Sequence, residues 1–181
     1  MNNIKIHECF SSVNKKWKEL LSLIPNHSIF QTIEWQKTWF SVFHDNNSLN
    51  ILEISEGDEL IGIAPFMLND NNKLTLIGSK DVYDYQDFLV IPGFDSEFFM
   101  SVGEYFKSMN HTIIEINSVT ENSTTIEELE KLSKLNNWKY EIMSEDVCPL
   151  VQLPEEWDSY LGILNKKDRH ELRRKFRRLD E

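Results

Sequence analysis

Apolar positions recur every three or four residues in SSVNKKWKELLSLIP, so Val13, Trp17, Leu20, Leu21 and Ile24 share one helical face. Ser11 or Ser12 can cap the start, and Pro25 closes the segment. A second helix starts in FQTIEWQKTWFSVF, with Thr32 as N-cap. Trp35, Trp39 and Phe43 are spaced four apart and form an aromatic stripe expected to pack inward. The period then falls to two. LNILEIS alternates, EGDE turns, and LIGIAPFML returns as a second strand. Pro65 within that strand predicts an edge or a bulge. NDNN turns into a third strand, KLTLIG, and VYDYQDFLVIPG contains a fourth centred on Phe88 to Ile91.

DSEFFMSVGEYFKSM reads as a helix capped by Asp95 or Ser96, with Phe98, Val102, Tyr105 and Phe106 inward. HTIIEINSV is a strand. STTIEELEKLSKLNN is a helix capped within Ser123 to Thr125, with Ile126, Leu129 and Leu132 inward. WKYEIMSED and CPLVQL are predicted as further strands, and PEEWDSYLGIL as a short helix entered at Pro154. The order predicts an α+β or mixed α/β layered fold, a central, mostly antiparallel sheet flanked by helices.

The last predicted helix changes the picture through its charge. Lys166 to Glu181 carries eight of the nineteen Lys and Arg residues against four acids, a formal +4 that leaves −15 on the first 165 residues. Its apolar stripe is narrow: Leu172, Phe176 and Leu179. A solvated helix balancing an acidic body explains the pattern. So does an Arg face turned to an anionic partner, with Arg169, Arg173, Arg174 and Arg177 as the candidate contacts. So acidic a body disfavours nucleic acid as a partner, because phosphates are repelled. The length suits one compact domain. MNNIKIHECF has no apolar signal-peptide core, and IGIAPFML is too short to span a bilayer. Cys9 and Cys148 give no metal spacing and no disulfide framework. A cytoplasmic location with reduced thiols is the expectation.

The six glycines form no G-x-G turn or P-loop, and the five histidines never stand at metal-ligand spacing. No G-x-S-x-G elbow is present. No cofactor-binding or metal-binding residue is therefore expected. The densest chemistry is DVYDYQDFLVIPG. Acids and phenols just before a buried strand lie at a sheet edge, where Tyr83, Asp84, Tyr85 and Asp87 could bind a small polar or sugar-like substrate. Equally, this is a polar turn whose acids cap backbone N–H groups and whose tyrosines cover the sheet.

Four segments in order, IFQTIEWQKTWFSVF, ELIGIAPFML, LTLIGSKDVYDYQDFLVIPG and CPLVQLPEEWDSYLGILNKKDRHELRRKFRRLDE, resemble the CelD/BcsL-type acyltransferases. These belong to the GNAT superfamily and are related to the FemAB peptidyltransferases. The resemblance is to the amino-terminal half. It implies two GNAT-like folds in tandem: residues 1–165 would form the first, and 166–181 a basic helix leading to a missing carboxy-terminal GNAT domain. Glu181 would then be a cut rather than a natural end. Acyl transfer from acyl-CoA, such as acetyl-CoA, to an amine or hydroxyl would be the full-length activity. The family grips the pyrophosphate of coenzyme A at a glycine-containing turn before a helix. This sequence shows none, which implies a chain inactive by itself and without bound cofactor. The resemblance also implies that Tyr85 and Asp87, in DYQDF, face the acceptor. It secures no catalytic residue. A complete non-catalytic domain using its basic helix, and a single-domain GNAT enzyme with a degenerate coenzyme A loop, remain the alternatives.

Overall fold

The structure, a computed structural model, describes residues 2–79, 81–109 and 112–179. His111 of the predicted strand and Asp180 and Glu181 of the predicted basic helix lie outside the described residues. Contacts divide the chain into two units, Met1–Glu145 and Asp146–Glu181.

The first unit runs β1 (Asn2–His7), α1 (Asn14–Ser22), α2 (Ile33–Phe43), β2 (Ser48–Glu56), β3 (Glu59–Leu68), β4 (Lys73–Leu76), β5 (Leu89–Val90), α3 (Asp95–Ser108), β6 (Ile113–Glu115) and α4 (Thr124–Asn136). The sheet order is β1-β2-β3-β4-β6, with β5 also paired to β3. Among the described residues β4 and β6 pair in parallel, and the other pairs are antiparallel. This is the expected mixed α/β architecture, a mostly antiparallel sheet flanked by helices. β1 was not among the predicted strands, because Asn2–His7 holds only two apolar residues, Ile4 and Ile6.

Two cores follow from the period of two. Leu52, Ile54, Ala64 and Phe66 pack with Phe98, Phe99, Val102 and Leu132 of α3 and α4. Ile51, Ile63 and Met67 pack with Val13, Trp17, Leu20, Ile33 and Trp39 of the α1 and α2 side. A bulge supplies one exception. The register shifts between Ile54 and Ser55, opposite Gly62 and Leu60. Ile61 is thus the extra residue, and it joins the first core although Ile63 faces the second.

The strand of Pro65 does carry a bulge, as expected, but at Ile61 rather than at the proline. Pro65 lies opposite Ile51 on the central strand β3. On the other side of β3, β5 pairs only with Gly62 and Ile63, and β4 only from Phe66 onward. The Pro65 carbonyl accepts from Ile77 N–H at 2.8 Å, so its missing N–H falls in the gap where β4 and β5 part.

Two caps also differ from expectation. α1 starts without a side-chain cap, because Ser12 instead donates to the Cys9 carbonyl at 2.8 Å. Neither Asp95 nor Ser96 caps α3, whose N-cap position is Phe94. Thr32 and Ser123 do cap α2 and α4, accepting from Trp35 N–H and Thr125 N–H.

The strands predicted at WKYEIMSED and CPLVQL do not form. Their apolar side chains stand out of any core: Met143 is 85% exposed and Leu150 92%. An alternating pattern makes a strand only where a neighbouring strand offers an edge, and no such pairing exists here among the described residues. The second unit contains α5 (Trp157–Ile163) and α6 (Lys166–Leu179), joined by a Trp157–Phe176 ring contact at 5.3 Å.

Candidate functional site at the loop between β4 and β5

Residues 77–88 bridge the gap between β4 and β5. Gly78 sits at φ +138°, where an added Cβ would meet the Gln86 amide nitrogen at 2.3 Å. A side chain there would expel Gln86, so the loop depends on that glycine. Between Asp81 and Phe88, Tyr83, Gln86 and Phe88 are buried and Asp81, Val82, Asp84 and Tyr85 are exposed. Tyr83 is 1% exposed and lies in a box of Phe30, Trp35 and Trp39, with ring centroids 5.5–6.1 Å away. Burial pushes its phenol well above the usual range, and the nearby Trp35 indole N–H counters this only in part. Neither the Tyr83 hydroxyl nor the Trp35 N–H has a hydrogen bond of good geometry. Asp84 is exposed. Tyr85 is 41% exposed and adopts φ +56°, a left-handed backbone rare for an aromatic residue.

Asp87 points inward and closes the loop onto α4. Its carboxylate accepts from Ser123 Oγ at 2.5 Å, Thr125 Oγ1 at 2.5 Å and its neighbour Phe88 N–H at 2.8 Å. Burial raises its pKa, and these three donors with opposite effect do not fully cancel it. The nearby Asp95 adds to the rise.

A cavity of about 240 Å³ opens beside this loop. Tyr85, Gln86 and Asp87 line it from the loop, with Asn26, His27 and Ser28 from the turn after α1. Asn26 takes φ +62° in that turn, which Ser28 Oγ ties to the Tyr85 carbonyl at 3.3 Å. The structure thus brings Tyr85 and Asp87 together at a cavity and leaves Tyr83 and Asp84 away from its lining. Sequence reasoning missed Asn26, His27 and Gln86. The turn-forming PNHS was a signal for the loop, but its closeness to residues 85–87 is purely tertiary.

The basic helix divides its arginines. Arg169 donates to the carbonyls of Gly162 at 3.2 Å and Leu164 at 2.9 Å, so its guanidinium ties α6 to the end of α5. Arg174 pairs with Glu171 at 2.8 Å. Arg173 and Arg177 are exposed and have no side-chain partner among the described residues.

Gly93 corrects the expectation that no glycine-bearing turn precedes a helix. It takes φ +93° just before α3, with Phe94 N–H bonded to the Ile91 carbonyl at 3.0 Å. Asp95 and Glu97 occupy the first turn of α3. Two carboxylates at a helix start already complement its dipole and repel a pyrophosphate, so this turn does not fit the diphosphate of coenzyme A. Among the described residues no group of His, Cys, Asp and Glu could hold a metal ion. None of the described helices is long and apolar enough to cross a membrane.

No protein-family model matches the chain, and no curated protein does. Solved structures do resemble it. A probable acetyltransferase from Staphylococcus epidermidis ATCC 12228 is 19% identical and aligns over 73% of this chain and 82% of its own, with a TM-score of 0.45. AAC(6')-Iy, in complex with the bisubstrate analog CoA-S-monomethyl-acetylneamine, is 15% identical over 82% of this chain and 99% of its own, with a TM-score of 0.43. The GNAT family acetyltransferase SP0256 from Streptococcus pneumoniae TIGR4 is 15% identical over 86% of this chain and 100% of its own, with a TM-score of 0.39.

Proposed function

We propose that this chain carries the acceptor-holding part of an acyl-CoA-dependent acyltransferase of the GNAT superfamily. In this reading it is the amino-terminal half of a CelD-like, FemAB-related enzyme. The whole enzyme moves an acyl group from acyl-CoA to an amine or hydroxyl of a polysaccharide precursor or another polar metabolite. The cavity beside the β4–β5 gap carries the reading. It gathers Tyr85 and Asp87, for which the resemblance implies acceptor contact, beside that gap with Gln86 and His27. The four resembling segments, in their order along the chain, support it.

A second GNAT-like domain grips coenzyme A in this reading, because the acidic start of α3 does not. Of the four candidate arginines, Arg173 and Arg177 are available to face that domain, whereas Arg169 and Arg174 are engaged within their own unit. Calorimetric titration with acetyl-CoA tests the division of labour. The isolated chain is expected to bind it with a Kd of about 1 mM or weaker. Micromolar affinity that is lost in Gly93→Asp would overturn the half-enzyme reading in favour of a single-domain enzyme that uses the Gly93 turn.

A further inference from the structure

Away from the cavity, one polar cluster joins a surface hydroxyl to two buried ionisable side chains. Ser12 is exposed, whereas His7 and Glu53 are only 3% and 4% exposed. Ser12 Oγ lies 2.7 Å from His7 Nδ1, and His7 Nε2 lies 2.9 Å from Glu53 Oε2. The second Glu53 oxygen accepts from Lys16 Nζ at 2.5 Å, which holds the carboxylate in place. Taking charged groups out of water is costly, and a buried ion pair seldom stabilises a fold more than apolar side chains would. A hydroxyl, an imidazole within hydrogen-bond reach and a carboxylate behind the imidazole are the parts that an activated nucleophile needs.

The proton inventory fixes the direction of transfer. A carboxylate can only accept, so His7 Nε2 carries a proton, and in the neutral ring Nδ1 keeps a lone pair turned to Ser12. The single Ser12 hydroxyl proton has two acceptors, Nδ1 and the Cys9 carbonyl at 2.8 Å. Turned to Nδ1, it can leave as the oxygen attacks, and the imidazolium so formed stands against Glu53. Helix α1 begins two residues on, at Asn14, with no side-chain cap and no acid in its first turn. The partial positive charge of that helix start favours an oxyanion formed beside Ser12. Because so little of His7 is exposed, water reaches Nδ1 poorly once Oγ is blocked.

We propose that Ser12 is a nucleophile that takes an acyl group from small activated acyl esters, with His7 as its general base and Glu53 as the residue that positions the base. Ser12 Oγ bonds to the acyl carbon and its proton passes to His7 Nδ1. The bond from the acyl carbon to the leaving oxygen then breaks, the alcohol departs with that proton, and an acyl-serine remains. The site depends neither on the cavity nor on coenzyme A, so its test is separate from the calorimetric titration. The probe is p-nitrophenyl acetate, followed by nitrophenol release and by peptide mass mapping of the full chain. Cys9 is replaced first, because hydrogen bonding to the Ser11 and Ser12 hydroxyls lowers the pKa of its exposed thiol to about 7 and it competes for the same ester. In Cys9→Ala a burst of about one nitrophenol per chain is expected, with the acetyl group on Ser12. Adding Ser12→Ala is expected to abolish the burst. Adding Glu53→Gln is expected to slow it at least about tenfold. Lys16 can only donate, so the amide that replaces the carboxylate turns its oxygen to Lys16 and its N–H to Nε2, which moves the ring proton to Nδ1 and removes the base. Both hydrogen bonds survive in that variant, so a purely structural Glu53 would leave the rate unchanged. Acetyl on Ser11 or a lysine in place of Ser12, a burst that survives Ser12→Ala, or an unchanged rate in a folded Glu53→Gln variant overturns the proposal. Should Glu53→Gln fail to fold, the exposed Ser12→Ala substitution carries the test.

Discussion

Glu53 is 4% exposed on β2, yet it is charged and doubly partnered. His7 Nε2 lies 2.9 Å from one carboxylate oxygen and Lys16 Nζ 2.5 Å from the other, while His7 Nδ1 reaches Ser12 Oγ at 2.7 Å. The cluster ties β1, β2 and α1 together. Burial pushes the Glu53 carboxyl up, but the hydrogen bonds from Lys16 and His7 outweigh it and the net displacement is downward. A depressed folded pKa stabilises above the unfolded value, about 4.3, and that contribution is lost as pH falls through the folded pKa. Glu53→Ala is expected to cost about 3 kcal/mol at pH 7, because it leaves His7 buried without its partner. The cost should shrink towards pH 3 in urea melts; a cost independent of pH would show that the carboxylate charge contributes nothing. Asp87 has the opposite sign. Its raised pKa means that its contribution is fully present below the unfolded value, about 3.9, and is lost as pH rises through the folded one. Asp87→Asn should therefore be least harmful, relative to the natural chain, at neutral pH. A penalty growing from pH 4 to pH 7 would contradict the direction of that shift.

Helix α2 shows how far a stripe is legible. Of Trp35, Trp39 and Phe43, Trp39 is buried at 8% exposure, Trp35 is half-buried and Phe43 is 53% exposed. Equal spacing cannot tell which turn of the helix lies over the sheet and which overhangs it. Trp39 packs edge-on against Tyr83 at 5.8 Å, so it joins the helix to the loop that shapes the site. Trp39→Ala is expected to cost about 3–5 kcal/mol, the usual loss for a buried aromatic. An unchanged urea midpoint would place Trp39 outside the core. On β3, Gly62 marks the bulge: an added Cβ would meet Phe98 Cδ2 at 2.3 Å and the Leu89 carbonyl oxygen at 2.8 Å. The oxygen is backbone and cannot step aside, so Gly62→Ala is expected to destabilise by about 1–3 kcal/mol through overpacking. Thermal melts that coincide with the natural chain would show that β3 and β5 can part at that point without loss.

Stability should be uneven across the whole molecule. The first unit holds both cores, whereas α6 in the second has no buried residue. Phe176 contacts Trp157, and Leu179 is 80% exposed. An isolated helix of this length is marginal in water, because nucleation is costly and few residues repay it. Mass-resolved hydrogen exchange is therefore expected to show fast exchange over Arg173 to Leu179 and slow exchange over β2 and β3. Strong protection of α6 in this chain alone would mean that the helix has already found its partner, removing the need for a second domain to cover it.

The alternation of LNILEIS and LIGIAPFML, the Gly57 turn between them and the periods of α1 to α4 all reside in local chemistry, and the mixed α/β architecture was legible there. Thr32 and Ser123 were readable as caps because a cap acts within three residues. Site legibility was partial: Tyr85 and Asp87 could be marked, because acids and phenols before a buried strand stand out in one dimension. Their partners could not. Asp87 meets Ser123 and Thr125, and the cavity joins residues 26–28 to 85–87, through chain separations that only folding closes. The apolar residues of 142–153 illustrate the reverse limit. Their pattern is that of strands, but a strand is a pairing, and whether an edge is available is decided by the tertiary structure alone.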